Sequence, residues 1–265
     1  MSLPEDEGRA LVAKLRAAAA TRCPVPLPAG FAARCPLDVA LQLQQWHVDS
    51  VLASCGGTVI GTKLGGASEA ALQALGLDAP FTGPLFSART FPSPARLARS
   101  DFVVGIVEAE IGLRLAADLD SVEPLSREEL ADRTAAVFPC LELADARWAN
   151  WAQADAAAIV ADLGFAGAWV RGEEVDGWRA IDLRSVTVTL RRDGEVVREG
   201  SGALVLGDPW RALSLAAAAL ARAGRPLRAG AVVSTGTCTA PVVSPEPGLF
   251  EASFGPLGTV SLTLD

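Results

Sequence analysis

Apolar and polar positions change period several times along the chain, and each change predicts an element. Over residues 5–21, Leu11, Val12, Leu15 and Ala19 share one face of an Ala-rich amphipathic helix. Pro24, Pro26, Pro28 and Pro36 make 22–36 a loop. Leu37, Leu41, Val48 and Leu52 return to helical spacing, with Pro36 near the start, where a missing N–H is tolerated. GGTVIGTKLGG (56–66) reads as a strand running into a flexible turn. The run DFVVGIVEAEIGLRLAAD (101–118) and the later FPCLELADARW (138–148) both read as buried strands carrying isolated carboxylates. Between them, Ser126 and Glu129 form a capping box that opens a helix through about Val137. The Ala-rich stretch 148–163 predicts another helix.

Beyond this point the pattern is mostly sheet. Val186, Val188 and Leu190 alternate with polar residues, Asp193-Gly194 supplies a hairpin turn, and 195–206 returns as the partner strand. Asp208 and Pro209 read as N-cap and first residue of a helix that Gly224 ends. Strands follow near 231–236, 250–254 and 260–264. Hairpins outnumbering helices argue for an α+β fold, an antiparallel rolled β core with peripheral helices.

Composition narrows the function. The chain has 265 residues, 50% hydrophobic and 20% charged, enough for one large domain or two small ones. A net charge of −8 with no Lys/Arg run argues against nucleic acid as a partner. Such a protein does not steer anions from afar, so an anionic ligand needs a local cation. No apolar run stands out as transmembrane, and the acidic start MSLPEDEGRA is unlike a signal peptide, so the expectation is no membrane contact and a cytoplasmic location. Five scattered cysteines, no C-x-x-C and one His disfavour zinc and a disulfide framework.

Candidate chemistry centres on Glu108 and Glu110. Residues two apart in a strand face the same way, roughly 7 Å apart. Co-facial carboxylates repel unless a cation, a proton or a basic group lies between them. Oxygen ligands of this kind suit Mg²⁺ or Mn²⁺. Glu142, in the second apolar run, completes a candidate set of three carboxylates. The bland alternative is the wet face of an edge strand. Lys63, alone among glycines and apolar residues, is either a ligand-facing base or a snorkelling surface lysine. His47, with no nucleophile motif near it, reads as structural or exposed.

VEAEIGLRLAADL followed by CLELADARW resembles the fumarylacetoacetate hydrolase superfamily, in its branch of 2-hydroxypenta-2,4-dienoate (2-keto-4-pentenoate) hydratases and 4-oxalocrotonate decarboxylases. Members carry E-x-E and a later A-L-E-x-x-D-S-R, matched here by Glu108, Glu110 and Glu142 with Asp145 and Arg147. The resemblance runs from about Leu37 to the end and takes in Ala40-Leu41-Gln42-Leu43-Gln44. It implies Mg²⁺ or Mn²⁺ on the three Glu, Lys63 as acid/base beside Leu64, and Thr235, Gly236 and Thr237 near a substrate carboxylate. It implies a mixed β-sandwich roll with a mostly helical region at 1–70, a catalytic domain at 71–265 and a homo-oligomer. The implied ligand is a small 2-oxo or 2-hydroxy-dienoic acid. The implied reaction is hydration, with decarboxylation or C–C hydrolysis on the same scaffold as alternatives. This chain departs from the pattern in two places. Phe81 and Thr82 stand where hydratases carry an acidic residue, and Leu163, Phe165 and Ala166 stand where the family has Asn and serines. Those replacements keep open a catalytically altered, ligand-binding homologue.

Overall fold

A computed structural model describes residues 3–265. The N-terminal part holds helices α1 (Glu5–Thr21), α2 (Phe31–Arg34) and α3 (Leu37–Cys55), then strand β1 (Val59–Gly65) and helix α4 (Glu69–Leu75). Strands β2 (Phe81–Phe86), β3 (Thr90–Pro92), β4 (Ala95–Leu97) and β5 (Ile106–Leu115) follow. Next come α5 (Arg127–Asp132), β6 (Thr134–Ala144), α6 (Ala156–Ala161), β7 (Ala168–Arg171), β8 (Thr187–Arg192) and β9 (Glu195–Ser201). Helix α7 (Pro209–Arg222) precedes β10 (Val232–Thr237), β11 (Val242–Val243), β12 (Gly248–Ser253) and β13 (Thr259–Leu264).

The strands form an eight-stranded sheet in the order β2-β1-β10-β5-β6-β7-β3, with β11 added to β5, and a five-stranded sheet in the order β4-β13-β12-β8-β9. Their facing apolar sides make the main core, which includes Ile111, Leu113, Leu141, Val188, Phe250 and Leu262. A second cluster joins α1, α3 and α6 through Leu15, Leu43, Ala158 and Trp148. The Trp148 indole N–H donates to Ala158 O at 2.9 Å, so a fully buried ring keeps its polar atom satisfied. The result is the α+β mixed sandwich roll that the resemblance implied, rather than the purely antiparallel core read from the hairpins. The sheets are mixed, since β1–β10, β3–β7 and β4–β13 run parallel. Strand β1, which precedes residue 70, is hydrogen-bonded between β2 and β10.

Local signals hold where they are self-contained. The capping box closes at Ser126 and Glu129. Asp193 (φ 51°) and Gly194 (φ 86°) make the left-handed turn between β8 and β9. Other boundaries move. The helix expected through Val137 stops at Asp132, because the residues after it pair with β5 along the whole of β6. The helix expected over 148–163 shrinks to Ala156–Ala161 between 3₁₀ turns, with Asp155 as its cap. The strand expected over 195–206 ends at Ser201, since Gly202 lies so close to Leu183 O that a Cβ would sit 1.9 Å from it. The stretch Gly202–Arg222 has the length and apolarity of a membrane span by composition alone. Only its last 14 residues are α-helix, about 21 Å long against a bilayer core of about 30 Å, and that helix is mostly buried in the fold.

Candidate metal centre

Register decides the site. Antiparallel pairing of β5 with β6 sets Glu108 directly opposite Glu142, and alternation brings Glu110 to the same face. One carboxylate oxygen from each of Glu108, Glu110 and Glu142 lies within 4.8 Å of the others. Strand β5 is an interior strand between β10 and β6, so the edge-strand alternative does not hold. Glu110 and Glu142 are each 1% exposed, and Glu108 is half-buried.

Neighbouring strands supply the partners. On β10, the Ser234 hydroxyl and the Gly236 N–H (3.2 Å) both donate to Glu110 Oε2. The Trp169 indole N–H on β7 donates to Ser234 Oγ at 3.0 Å. On β1, the Lys63 ammonium lies 3.2 Å from Glu142 Oε1 as a buried ion pair. Glu142 Oε2 is buried with no partner at all, and Oε1 has only that ion pair. That is the observation a metal explains: a hard, all-oxygen donor set with lone pairs left over fits Mg²⁺ or Mn²⁺.

Electrostatics points the same way. Burial pushes Glu142 up to about 7, with Lys63 holding it down and Glu108 adding to the rise. Burial, then Glu142 and Glu108, raise Glu110 well above the carboxylate range. Glu108 is raised by burial and moderated by Lys63. For Lys63, burial alone would lower the pKa, but Glu142, Glu108 and Glu110 outweigh it and the ammonium is held protonated.

A cleft of about 510 Å³ opens above the carboxylates. Lys63, Phe81, Phe165, Gly236 and Thr237 line it. Leu64 borders it too, although its side chain belongs to the main core. Two expected contacts are absent from its lining. Thr82 follows Phe81 on β2 and therefore faces away, into other cavities. Thr235 is fully buried and its hydroxyl donates to Ile111 O at 2.9 Å. Sequence reasoning missed Ile106 and Ala144, two residues from Glu108 and Glu142 on the same faces, which alternation could have found. It also missed Trp151, Ser234 and Trp169, which only the tertiary fold brings near.

The segment 162–167 shapes one wall. Leu163, Gly164 and Phe165 are all left-handed (φ 58°, 61° and 61°), which is strained for the two that are not glycine. Gly83 makes the turn possible, because a Cβ there would lie 2.3 Å from Leu163 O. Arg147 holds the turn through Asp162 and through Ala166 O at 2.9 Å. Asp145 accepts the Val104 (2.9 Å) and Gly105 (3.3 Å) N–H groups at the entry to β5. His47 is 1% exposed, with Nδ1 3.3 Å from Ala161 O; burial and then Arg147 push its pKa down to about 3, so it is a neutral structural residue.

A family model described as fumarylacetoacetate (FAA) hydrolase C-terminal matches residues 92–263. The chain belongs to the fumarylacetoacetate hydrolase family. Among members of this family, the 2-keto-4-pentenoate hydratase of Paraburkholderia xenovorans (strain LB400) is 36% identical over 208 residues, 78% of this chain and 76% of the relative. The 4-oxalocrotonate decarboxylase of Pseudomonas sp. (strain CF600) is 31% identical over 198 residues, 75% of this chain and 74% of the relative. The fold matches the 4-oxalocrotonate decarboxylase from Pseudomonas putida G7, complexed with magnesium and adipate, with a TM-score of 0.89 at 24% identity over 100% of this chain and 99% of that one.

Proposed function

We propose that this chain is a divalent-metal-dependent hydro-lyase that adds water to a 2-hydroxy-2,4-dienoate, the enol form of a 2-oxo-4-alkenoate. The observation that carries the reading is the Glu108, Glu110 and Glu142 cluster, with Glu142 Oε2 buried and unpartnered, beside a cleft lined by Glu108, Glu110 and Lys63. The hydratase relative at 36% identity supports the reaction class. The three carboxylates would hold Mg²⁺ or Mn²⁺, which supplies Lewis-acid polarisation of the substrate's carboxylate and 2-oxygen when bound.

The chain's own residues do the rest. Lys63 holds a proton at Nζ beside the cluster and is the side chain placed to pass it to the substrate's carbon chain and to take one back. Gly236 N–H and Ser234 orient Glu110. Phe81, whose ring centroid lies 5.8 Å from Lys63 Nζ, limits water around that ammonium. A second reading is decarboxylation of a 2-oxo acid on the same site, favoured by the 31% identical decarboxylase. The homo-oligomer implied by family resemblance is part of the proposal, and sedimentation velocity tests it.

The test of the activity is the ultraviolet absorbance of a 2-hydroxy-2,4-dienoate, followed with Mg²⁺ or Mn²⁺ and again after chelation. Metal-dependent loss of the dienoate with a 4-hydroxy-2-oxo acid as product is expected. Release of CO₂ from 4-oxalocrotonate with no hydration would select the decarboxylase. No turnover of either substrate by metal-loaded protein would refute both.

A further inference from the structure

We propose that the cleft selects substrates whose far end is an alkyl or aryl group, and rejects those that end in a second carboxylate. This rests on the metal-chelate reading above and adds the substrate class; because 4-oxalocrotonate is itself a diacid, it stands with the hydratase reading and against the decarboxylase one. On the β5–β6 face, the Ile106/Ala144 pair lies next to the Glu108/Glu142 pair, two residues along each strand. That is roughly 7 Å from the carboxylates, about the reach of a dienoate chelated through its carboxylate and 2-oxygen. The substituent beyond the diene therefore arrives among apolar side chains. Val243 pairs with Ile106 and continues this floor. Trp151 and Phe165 form the facing wall, their rings edge to face with centroids 6.5 Å apart.

Charge is confined to the other end. Among the described residues, the charged side chains lining the cleft are Lys63, Glu108 and Glu110, all at the metal cluster. The hydroxyls of Thr237 and Thr239 donate to the backbone carbonyls of Thr239 and Ala240. A second carboxylate would lose its water with no cation to meet it, a large penalty, whereas each buried methylene gains about 0.8 kcal/mol, or about fourfold in affinity. At about 510 Å³ the cleft falls in the range of a drug-sized site (roughly 300–1,000 Å³), with room for more than a five-carbon acid.

The test is calorimetric binding, in saturating Mg²⁺, of 2-oxopentanoate, 2-oxooctanoate and 2-oxoadipate to the wild type and to Val243→Arg. Val243 is 43% exposed at the cleft margin, so the substitution adds a cation without disturbing the core. Wild type is expected to bind 2-oxooctanoate at least about tenfold more tightly than 2-oxopentanoate, with three extra methylenes at about fourfold each as the ceiling, and 2-oxoadipate most weakly. Val243→Arg is expected to narrow the gap by improving the diacid. Wild-type binding of 2-oxoadipate as tight as that of 2-oxooctanoate overturns the proposal while leaving the chelate reading intact. Binding of none of the three overturns both. The expected ranking without any hydration of dienoates sustains the proposal and sinks only the assigned activity.

Discussion

Glu142→Gln is expected to make the metal-free protein more stable while removing its metal. The glutamine keeps the shape of a protonated Glu142 but carries no charge. Burial raises the folded-state pKa of Glu142 from 4.5 to about 7. A carboxylate whose folded pKa lies above its unfolded value is a liability that is absent below the unfolded pKa and complete above the folded one. Its cost therefore grows between pH 4.5 and about 7. At 1.36 kcal/mol per unit the full cost is about 3 kcal/mol. For a chain of 265 residues, about 3 kcal/mol corresponds to a rise in Tm of about 5 °C. The assay is urea and thermal unfolding of both proteins in chelator at pH 8 and pH 5, then with Mg²⁺. The variant should lead by about 3 kcal/mol at pH 8 and by under about 1 kcal/mol at pH 5, and Mg²⁺ should stabilise only the wild type. A variant less stable than wild type in chelator at pH 8 would mean that the Glu142 charge is well accommodated in the bare fold. The argument that its unpartnered oxygen calls for a cation would then fail.

Ser234→Ala removes a donor to Glu110 and strands the Trp169 N–H; it should lower stability by about 1–3 kcal/mol and metal affinity by about 10–100-fold, measured by urea unfolding and calorimetry. Lys63→Met should slow turnover by about 10²–10⁴-fold in the absorbance assay yet bind Mg²⁺ at least as tightly, because the cation that competes for Glu142 is gone. Burial and Arg147 hold the His47 pKa at about 3, below the ordinary imidazole value of 6.5, so its contribution to stability is intact above 6.5 and is lost as the pH falls toward 3. Between pH 7 and 5 this amounts to about 2 kcal/mol, and His47→Gln should flatten the unfolding profile by that much if the imidazole stays neutral in the fold.

Much of the site was legible because its information is local. Alternation alone makes Glu108 and Glu110 co-facial, and an apolar setting alone makes their charge conspicuous. Ser126 with Glu129, and Asp193 with Gly194, announce their own geometry because the groups that satisfy them are a few residues away. Thr82 could have been excluded by the same rule, since neighbours on a strand cannot both face the cleft with Phe81. Leu163, Phe165 and Ala166 in place of Asn and serines are visibly apolar in the sequence, but nothing there announces three consecutive left-handed residues resting on Gly83.

The sequence by itself therefore determined the donor chemistry: which carboxylates are isolated among apolar residues, which share a strand face, and which lysine accompanies them. Tertiary structure decided everything that depends on register between distant strands. Pairing of β5 with β6 sets Glu142 across from Glu108, the parallel pairing of β1 with β10 brings Lys63 beside Ser234, and the irregular register after Ser234 sends Gly236 to Glu110 while Thr235 is lost to the core. The physical reason is that a strand's own sequence fixes only which side chains share a face. Which residue of a distant strand lies opposite is settled by packing both faces of the sheet at once.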